Sequence, residues 1–222
     1  MQQNPTQDNQ ITALASHQRN KLFRQIHRNH PVCCLYTRRK PKGKKTKQKF
    51  YFFTEDTENL IVAATVKKNK GTIYKFSTSS KDVKRKSPFY VGLCSDAQTK
   101  KVFIGAKSYP EKPGLLFNSI RITTGDEEVG DPIILAPPSD QDFRFPETPE
   151  TPLPNDAFFL VAKKINDITN VTNPEYYTVQ VLLGEETVLS LHQIAEDEFE
   201  AEISYPLSLF QAFCIACTLT NI

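Results

Sequence analysis

The sequence contains no apolar run of about 18 residues, the length a membrane-crossing helix needs, so no such helix is expected. Its first residues, Met1-Gln2-Gln3-Asn4, are polar and lack the apolar stretch of a secretory leader, so a secretory route is not expected either. Cysteine is sparse and odd in number, with five in all and Cys33 beside Cys34. That is no disulfide framework, and a reducing, cytoplasmic setting is the simpler expectation. Catalytic signatures are missing as well: there is no Ser-centred elbow, no phosphate-cradling glycine loop and no HExxH. His17, His27 and His30 fall in or just past one N-terminal segment, and His192 sits in a candidate strand without a partner motif. Cys214 and Cys217 form a CxxC, but zinc needs a second pair at a suitable spacing, which Cys33-Cys34 does not supply. On an apolar helix these two cysteines are expected to act as small hydrophobes. No enzyme activity, cofactor or metal is therefore expected.

Acidic residues are scarce in one half of the chain and basic residues in the other. Residues 1–110 hold 23 Lys and Arg against 6 Asp and Glu, net +17, whereas residues 111–222 hold 5 against 19, net −14. The formal net charge of +3 hides this split. It points to one strongly positive face aimed at an anionic partner, whether a phosphoinositide membrane, nucleic acid or an acidic protein.

Residues 1–30 read as a polar tail followed by an amphipathic helix over Gln10–Asn29, with Ile11, Leu14, Leu22 and Ile26 on one side and Asp8 or Asn9 as its cap. His30-Pro31 is expected to stop it, because the residue before proline is pushed out of the helical region. The helix either docks on a partner or membrane through Leu22, Phe23 and Ile26, or covers an end of the domain that follows. Residues 31–222 read as that domain. Its candidate strands are Val32–Arg38, Lys49–Phe53, Leu60–Val66, Thr72–Ser77, Phe89–Leu93, Lys101–Ala106, Leu115–Thr123, Pro132–Leu135, Ala157–Ile165, Tyr176–Leu183, Thr187–Gln193 and Phe199–Ser204. Six prolines between Ala136 and Pro154 make that stretch a loop, since proline cannot donate to a ladder. Many short strands between polar turns point to a sandwich or barrel. Tyr205–Leu219 is different: it is apolar nearly all round, with Pro206 suited to a first helical turn. A helix apolar on every face must be buried on every face. The expected fold is thus a mainly β, closed antiparallel barrel around a central hydrophobic C-terminal helix, the alternative being a C-terminal edge strand.

Ile194-Ala195-Glu196-Asp197-Glu198-Phe199, then Tyr205-Pro206-Leu207 and Gln211-Ala212-Phe213-Cys214-Ile215-Ala216, resembles the C-terminal end of tubby-like proteins, where an (I/V)AEDxF strand runs into YPL and QAFxIA. Leu60-Ile61-Val62-Ala63 through Lys67-Lys68-Asn69-Lys70 to Tyr74 is similar to the family's strand, basic turn and strand. Tyr36-Thr37-Arg38-Arg39-Lys40 is similar to its ITRDK segment, and Phe89-Tyr90-Val91-Gly92 to its SYIG. The resemblance covers most of residues 32–105 and 155–219 of a shortened domain. It implies a closed barrel around its C-terminal helix and a basic pocket for phosphatidylinositol 4,5-bisphosphate. It also implies a peripheral place at the plasma membrane, with cilium or nucleus as further settings, and an adaptor role toward membrane-protein cargo. The chain departs from the family at Ala64, Thr65, Val66 and Cys94, where basic residues stand in the family pattern. The GRVTxASVKNFQ signature has no clean counterpart, and residues 106–154 match nothing in the family.

On that basis Lys67, Lys68, Lys70, Arg38 and Lys40 are expected to hold the headgroup. Lys42, Lys44, Lys45, Lys47 and Lys49 would add long-range attraction from an exposed loop. Eight of the twelve residues from Arg38 to Lys49 are basic and none is acidic, and basic residues near an anionic membrane contribute about 1 kcal/mol each. The same run also reads as a nuclear-import or nucleic-acid patch, or as a solvated loop. A third cluster, Lys81, Lys84, Arg85 and Lys86, is expected to strengthen the same positive face. Nucleic acid ranks last as a partner, because the interleaved aromatic and basic pattern of single-strand binders is missing. A monomer is expected. The competing reading is a protein-interaction scaffold that kept the barrel and lost the lipid pocket.

Overall fold

The computed structural model describes residues 7–40, 47–55, 59–68, 72–95, 101–104, 114–117, 133–136, 158–166 and 176–220. The chain is mainly β. Its strands are β1 (Val32–Arg39), β2 (Lys49–Thr54), β3 (Leu60–Lys68), β4 (Thr72–Ser77), β5 (Tyr90–Ser95), β6 (Lys101–Ile104), β7 (Gly114–Phe117), β8 (Ile133–Ala136), β9 (Phe158–Asn166), β10 (Tyr177–Leu183), β11 (Glu186–Ala195) and β12 (Glu198–Ile203). Helix α1 (Gln7–Phe23) precedes them and α2 (Leu209–Leu219) follows. Each strand overlaps one of the candidate segments. Successive strands pair antiparallel from β1 through to β12, and β1 pairs with β12 as well as with β2. The ladders of β1 with β2 and β12 are long, whereas β6 meets β7 only through Lys101↔Leu116 and Val102↔Leu115.

Strand alternation sends one set of side chains to a shared core. From β1 these are Cys34 and Tyr36, from β2 Phe50 and Phe52, from β3 Val62, Ala64 and Val66, from β4 Tyr74 and Phe76, and from β12 Phe199, Ala201 and Ile203. Against them lies α2, in which Phe210, Ala212, Phe213, Cys214, Ile215, Ala216, Cys217 and Leu219 are buried. Phe213 meets Phe52 at 4.8 Å between ring centroids, Phe76 at 6.0 Å and Tyr36 at 6.3 Å. Phe210 stands edge-on to Phe76 at 5.1 Å and to Phe23 of α1 at 5.2 Å. The C-terminal segment is therefore a helix and not an edge strand. Cys214 and Cys217 form no disulfide and pack as small apolar groups in the same core.

Two local expectations change. Pro206 does not open α2. It follows a cis Tyr205-Pro206 bond, and the helix starts three residues later, at Leu209 behind Ser208. Ser208 is the stronger start signal, because its hydroxyl accepts from the Gln211 N–H while the Gln211 side chain takes the Ser208 N–H, a reciprocal capping box. The N-terminal helix runs Gln7–Phe23, so Asp8 and Asn9 lie inside it and the segment to Asn29 is not helical. Long-range bonds replace the helical ones there: Gln25 bridges to Ser208, and the Ile26 N–H donates to Leu207 O at 2.9 Å. Leu22 and Ile26 are buried and Phe23 packs on Phe210. These three side chains cover the end of the sheet where β1 begins, and are not presented to a partner. Arg19 fixes α1 there by donating to Pro88 O at 2.8 Å and Tyr90 O at 3.3 Å. The Pro-rich stretch lies outside the described residues except Ala136, which ends β8. No helix among the described residues is long and apolar enough to cross a membrane.

Truncating Phe213 to Ala removes the ring that joins α2 to three strands. The expected loss is about 3–5 kcal/mol of unfolding free energy, read by urea denaturation. Phe213→Asp buries an unpaired charge, and no cooperative folded state is expected for it.

Candidate functional site

Charge gathers at the end of the sheet where β1 and β3 finish and β2 and β4 start. Register fixes this, since Arg39 pairs with Lys49, Lys49 with Thr65, and Thr65 with Lys75. Lys49 precedes the core residue Phe50, Lys75 lies between the core residues Tyr74 and Phe76, and Arg39 is exposed at the end of β1. All three therefore share the face away from the core. Lys67 follows the buried Val66 and is exposed on that same face, and Lys47 is exposed beside it, where the Val66 N–H donates to Gln48 O at 3.0 Å. Neighbouring strands lie about 4.8 Å apart, so this row spans roughly 15 Å. The Arg39 guanidinium rests 5.4 Å from the Tyr51 ring centroid, a contact that orients the cation without discharging it.

Arg38 and Lys40 were both expected at this site, but the structure engages them elsewhere. Arg38 alternates inward, and only 14% of its side chain is exposed. Its Nε donates to Asp197 Oδ1 at 2.7 Å, its Nη1 to Thr220 O at 2.7 Å and its Nη2 to Glu196 O at 3.0 Å. The Arg38 N–H also donates to Asp197 O at 2.7 Å. One guanidinium thus ties β1 to the β11–β12 turn and places a cation on the carbonyl end of α2, where the helix dipole favours it. Lys40 Nζ is 2.6 Å from Glu196 Oε1 and 3.9 Å from Asp197 Oδ1. The hydrogen bond to Glu196 holds the Lys40 ammonium above its ordinary pKa, and the same bond lowers Glu196. Both cations face carboxylates, so neither offers an uncommitted charge to a phosphate.

Lys68 ends β3. Lys70, Lys42, Lys44 and Lys45 lie outside the described residues. The cluster of Lys81, Lys84, Arg85 and Lys86 does not join this face. It sits on the turn between β4 and β5, at the opposite end of the sheet, which α1 covers. Lys75 is not among the residues the sequence singles out, and Arg39 enters there only within the basic run Arg38–Lys49 and not as a headgroup residue, although the alternation around each is readable. Only the register places them in one row with Lys49.

Along the outer face of β12, toward the end where β1 begins, the surface is negative. Glu198, Glu200 and Glu202 of β12 are all exposed, and Glu200 and Glu202 line a groove of about 250 Å³ with Cys33, Glu55 and His192. Burial raises the Cys33 thiol, and the charges of Glu55, Glu202 and Glu200 raise it further, so its thiolate is disfavoured. His192 Nδ1 lies 3.0 Å from Thr178 Oγ1. No group of three His, Cys, Asp or Glu side chains among the described residues could hold a metal ion.

Comparison with protein-family models finds no match for the chain, and comparison with curated proteins finds no relative.

Arg38→Ala frees a carboxylate and a helix-terminal carbonyl in a largely buried setting, and should cost about 2–4 kcal/mol in urea denaturation. Lys40→Ala breaks only an exposed pair and should leave stability unchanged within error. At alkaline pH, burial pushes the Cys34 thiol up to about 12 from an ordinary 9.0. It also raises the Tyr36 hydroxyl, which lies 2.6 Å from Thr220 Oγ1. A raised folded-state pKa means that the unfolded chain loses its proton first. Stability from Cys34 is therefore complete below pH 9 and declines by about 1.4 kcal/mol per pH unit between 9 and 12. Cys34→Ala should show a shallower decline over that range.

Proposed function

We propose that the chain is a binding module of tubby-like architecture, a closed antiparallel barrel around α2, which recognises phosphoinositide-bearing membrane through the outer row Arg39, Lys49, Lys67 and Lys75. What supports the architecture is the ring order of the strands, the burial of α2, and the resemblance of residues 194–216 to the family's C-terminal end. The observation that carries the function is the register Arg39↔Lys49↔Thr65↔Lys75, which sets three cations in one row on one face, Thr65 standing between Lys49 and Lys75, with Lys67 and Lys47 near them. Lysines on flexible stems suit several phosphate oxygens at once, and the arginine can grip one oxygen pair. Lys42, Lys44 and Lys45 extend the same charge along the chain. This reading places the protein peripherally at an anionic plasma membrane, with membrane-protein cargo as its wider partner.

A second reading has its own support. Arg38 and Lys40, which the family resemblance assigns to the headgroup, are paired with Asp197 and Glu196. A scaffold that kept the fold and binds protein through its outer surface would look the same at this turn.

Liposome co-sedimentation decides between them, using vesicles with phosphatidylinositol 4,5-bisphosphate and vesicles with phosphatidylserine matched for charge. Selective pelleting with the bisphosphate is expected. It should fall steeply as salt rises, because the Debye length shrinks from about 10 Å at 0.1 M to about 3 Å at 1 M. Lys49→Glu/Lys67→Glu should lose at least tenfold in binding with an unchanged thermal melt. Equal pelleting with both vesicle types, or none, would leave the scaffold reading in its place.

A further inference from the structure

A second positive cleft lies at the other end of the sheet, between the segment after α1 and the start of α2. It has a volume of about 820 Å³, and Lys21, Arg24, His27, Arg28, His30 and Tyr205 are among its lining residues. We propose that this cleft binds a small polyanion carrying clustered phosphates, as a free molecule or as a lipid headgroup, at a site distinct from the Arg39–Lys75 row.

The fold holds these side chains out on purposefully fixed backbone. Leu22 and Ile26 point into the core and anchor the segment, which leaves Lys21, Arg24 and Arg28 exposed on its other side. The Gln25 bridge to Ser208 and the bond from the Ile26 N–H to Leu207 O fix that backbone against the start of α2. Arg28 is held 4.8 Å above the Tyr205 ring centroid, and the His27 and His30 rings sit 5.3 Å apart. Leu209 of the first turn of α2 also lines the cleft, so the positive end of the helix dipole adds to the field. Among the described residues no acidic one lines the cleft, and none stands in the first turn of α2. In this respect the cleft differs from the Arg38–Lys40 turn, where carboxylates occupy the cations. Among the described residues no ion pair engages Lys21, Arg24 or Arg28, and the three like charges gather at this cleft with no described carboxylate paired to them. Exposed Lys81, Lys84, Arg85 and Lys86 lie at the same end, as do the carboxylates Glu55 and Glu202 on the outer face of the sheet.

The two sites lie at opposite ends of β1, whose eight residues span roughly 25 Å, so their tests are separable. Isothermal titration of the full chain with inorganic tripolyphosphate should show saturable binding. Arg24→Gln/Arg28→Gln should weaken it at least fivefold, while Lys49→Glu/Lys67→Glu should change it less than twofold. If tripolyphosphate does not bind but Arg24→Gln/Arg28→Gln loses at least fivefold in pelleting with phosphatidylinositol 4,5-bisphosphate vesicles, the source is a lipid headgroup and the site stands. A smaller effect of that variant on both probes overturns the proposal. Should the double variant misfold, NMR of the wild-type chain takes its place. Movement of the His27 and His30 ring signals on addition of tripolyphosphate, or of a soluble short-chain phosphatidylinositol 4,5-bisphosphate, supports the site, and signals that stay put with both refute it.

Discussion

The fold depends on the burial of an eleven-residue helix that has no polar face. An amphipathic helix can rest on one neighbour, but α2 needs apolar groups on all sides. They come from β1, β2, β4 and α1 as Tyr36, Phe52, Phe76 and Phe23. The aromatic residues that alternate along the first strands are spent on this purpose. So is Tyr36, whose hydroxyl reaches Thr220 and lets a large ring sit in the core with its polar atom satisfied. Once α2 is buried, its two ends also require partners. Ser208 and Gln211 close the first, and Arg38 closes the last.

That second closure explains why positive charge in sequence is a poor guide to positive charge on offer. Arg38, Arg39 and Lys40 are consecutive, yet they have three different roles. Arg38 faces inward and serves the helix terminus, Arg39 faces outward over Tyr51, and Lys40 meets Glu196. Strand alternation separates neighbours in sequence and joins residues far apart, which is how Lys75 comes to share one row with Lys49 and Arg39. The split between a basic and an acidic half of the chain survives folding as a change of sign across the sheet, from the lysines of β2 and β3 to the glutamates of β12.

Much of the architecture was legible in the sequence because its strands are short, alternate cleanly and are bounded by polar or Pro-rich turns. The helical nature of residues 209–219 was legible from its lack of any polar stripe. What could not be read were features decided by distant partners. The end of α1 at Phe23 comes from the bonds of Gln25 and Ile26 to residues 207 and 208, and nothing local announces it. The start of α2 was masked by Pro206, a familiar first-turn residue, although Ser208 with Gln211 three places on was the better signal. For the candidate site, the lysine-rich stretches were visible, but membership of one row required the register. The engagement of Arg38 required knowing that Asp197 and Thr220 lie against it.

The bonds that join Gln25 and Ile26 to the start of α2, and Tyr36 and Arg38 to its end, span some 180 residues of chain. At about 5–20 residues per second, synthesis leaves an interval of roughly 10–40 s between the appearance of β1 and that of the helix that fills the core. Through that interval Tyr36, Phe52 and Phe76 have no Phe213 to pack against. The nascent chain must therefore be sheltered or kept dilute until α2 emerges, and a chain cut short before residue 209 would keep those aromatic surfaces exposed and be prone to association.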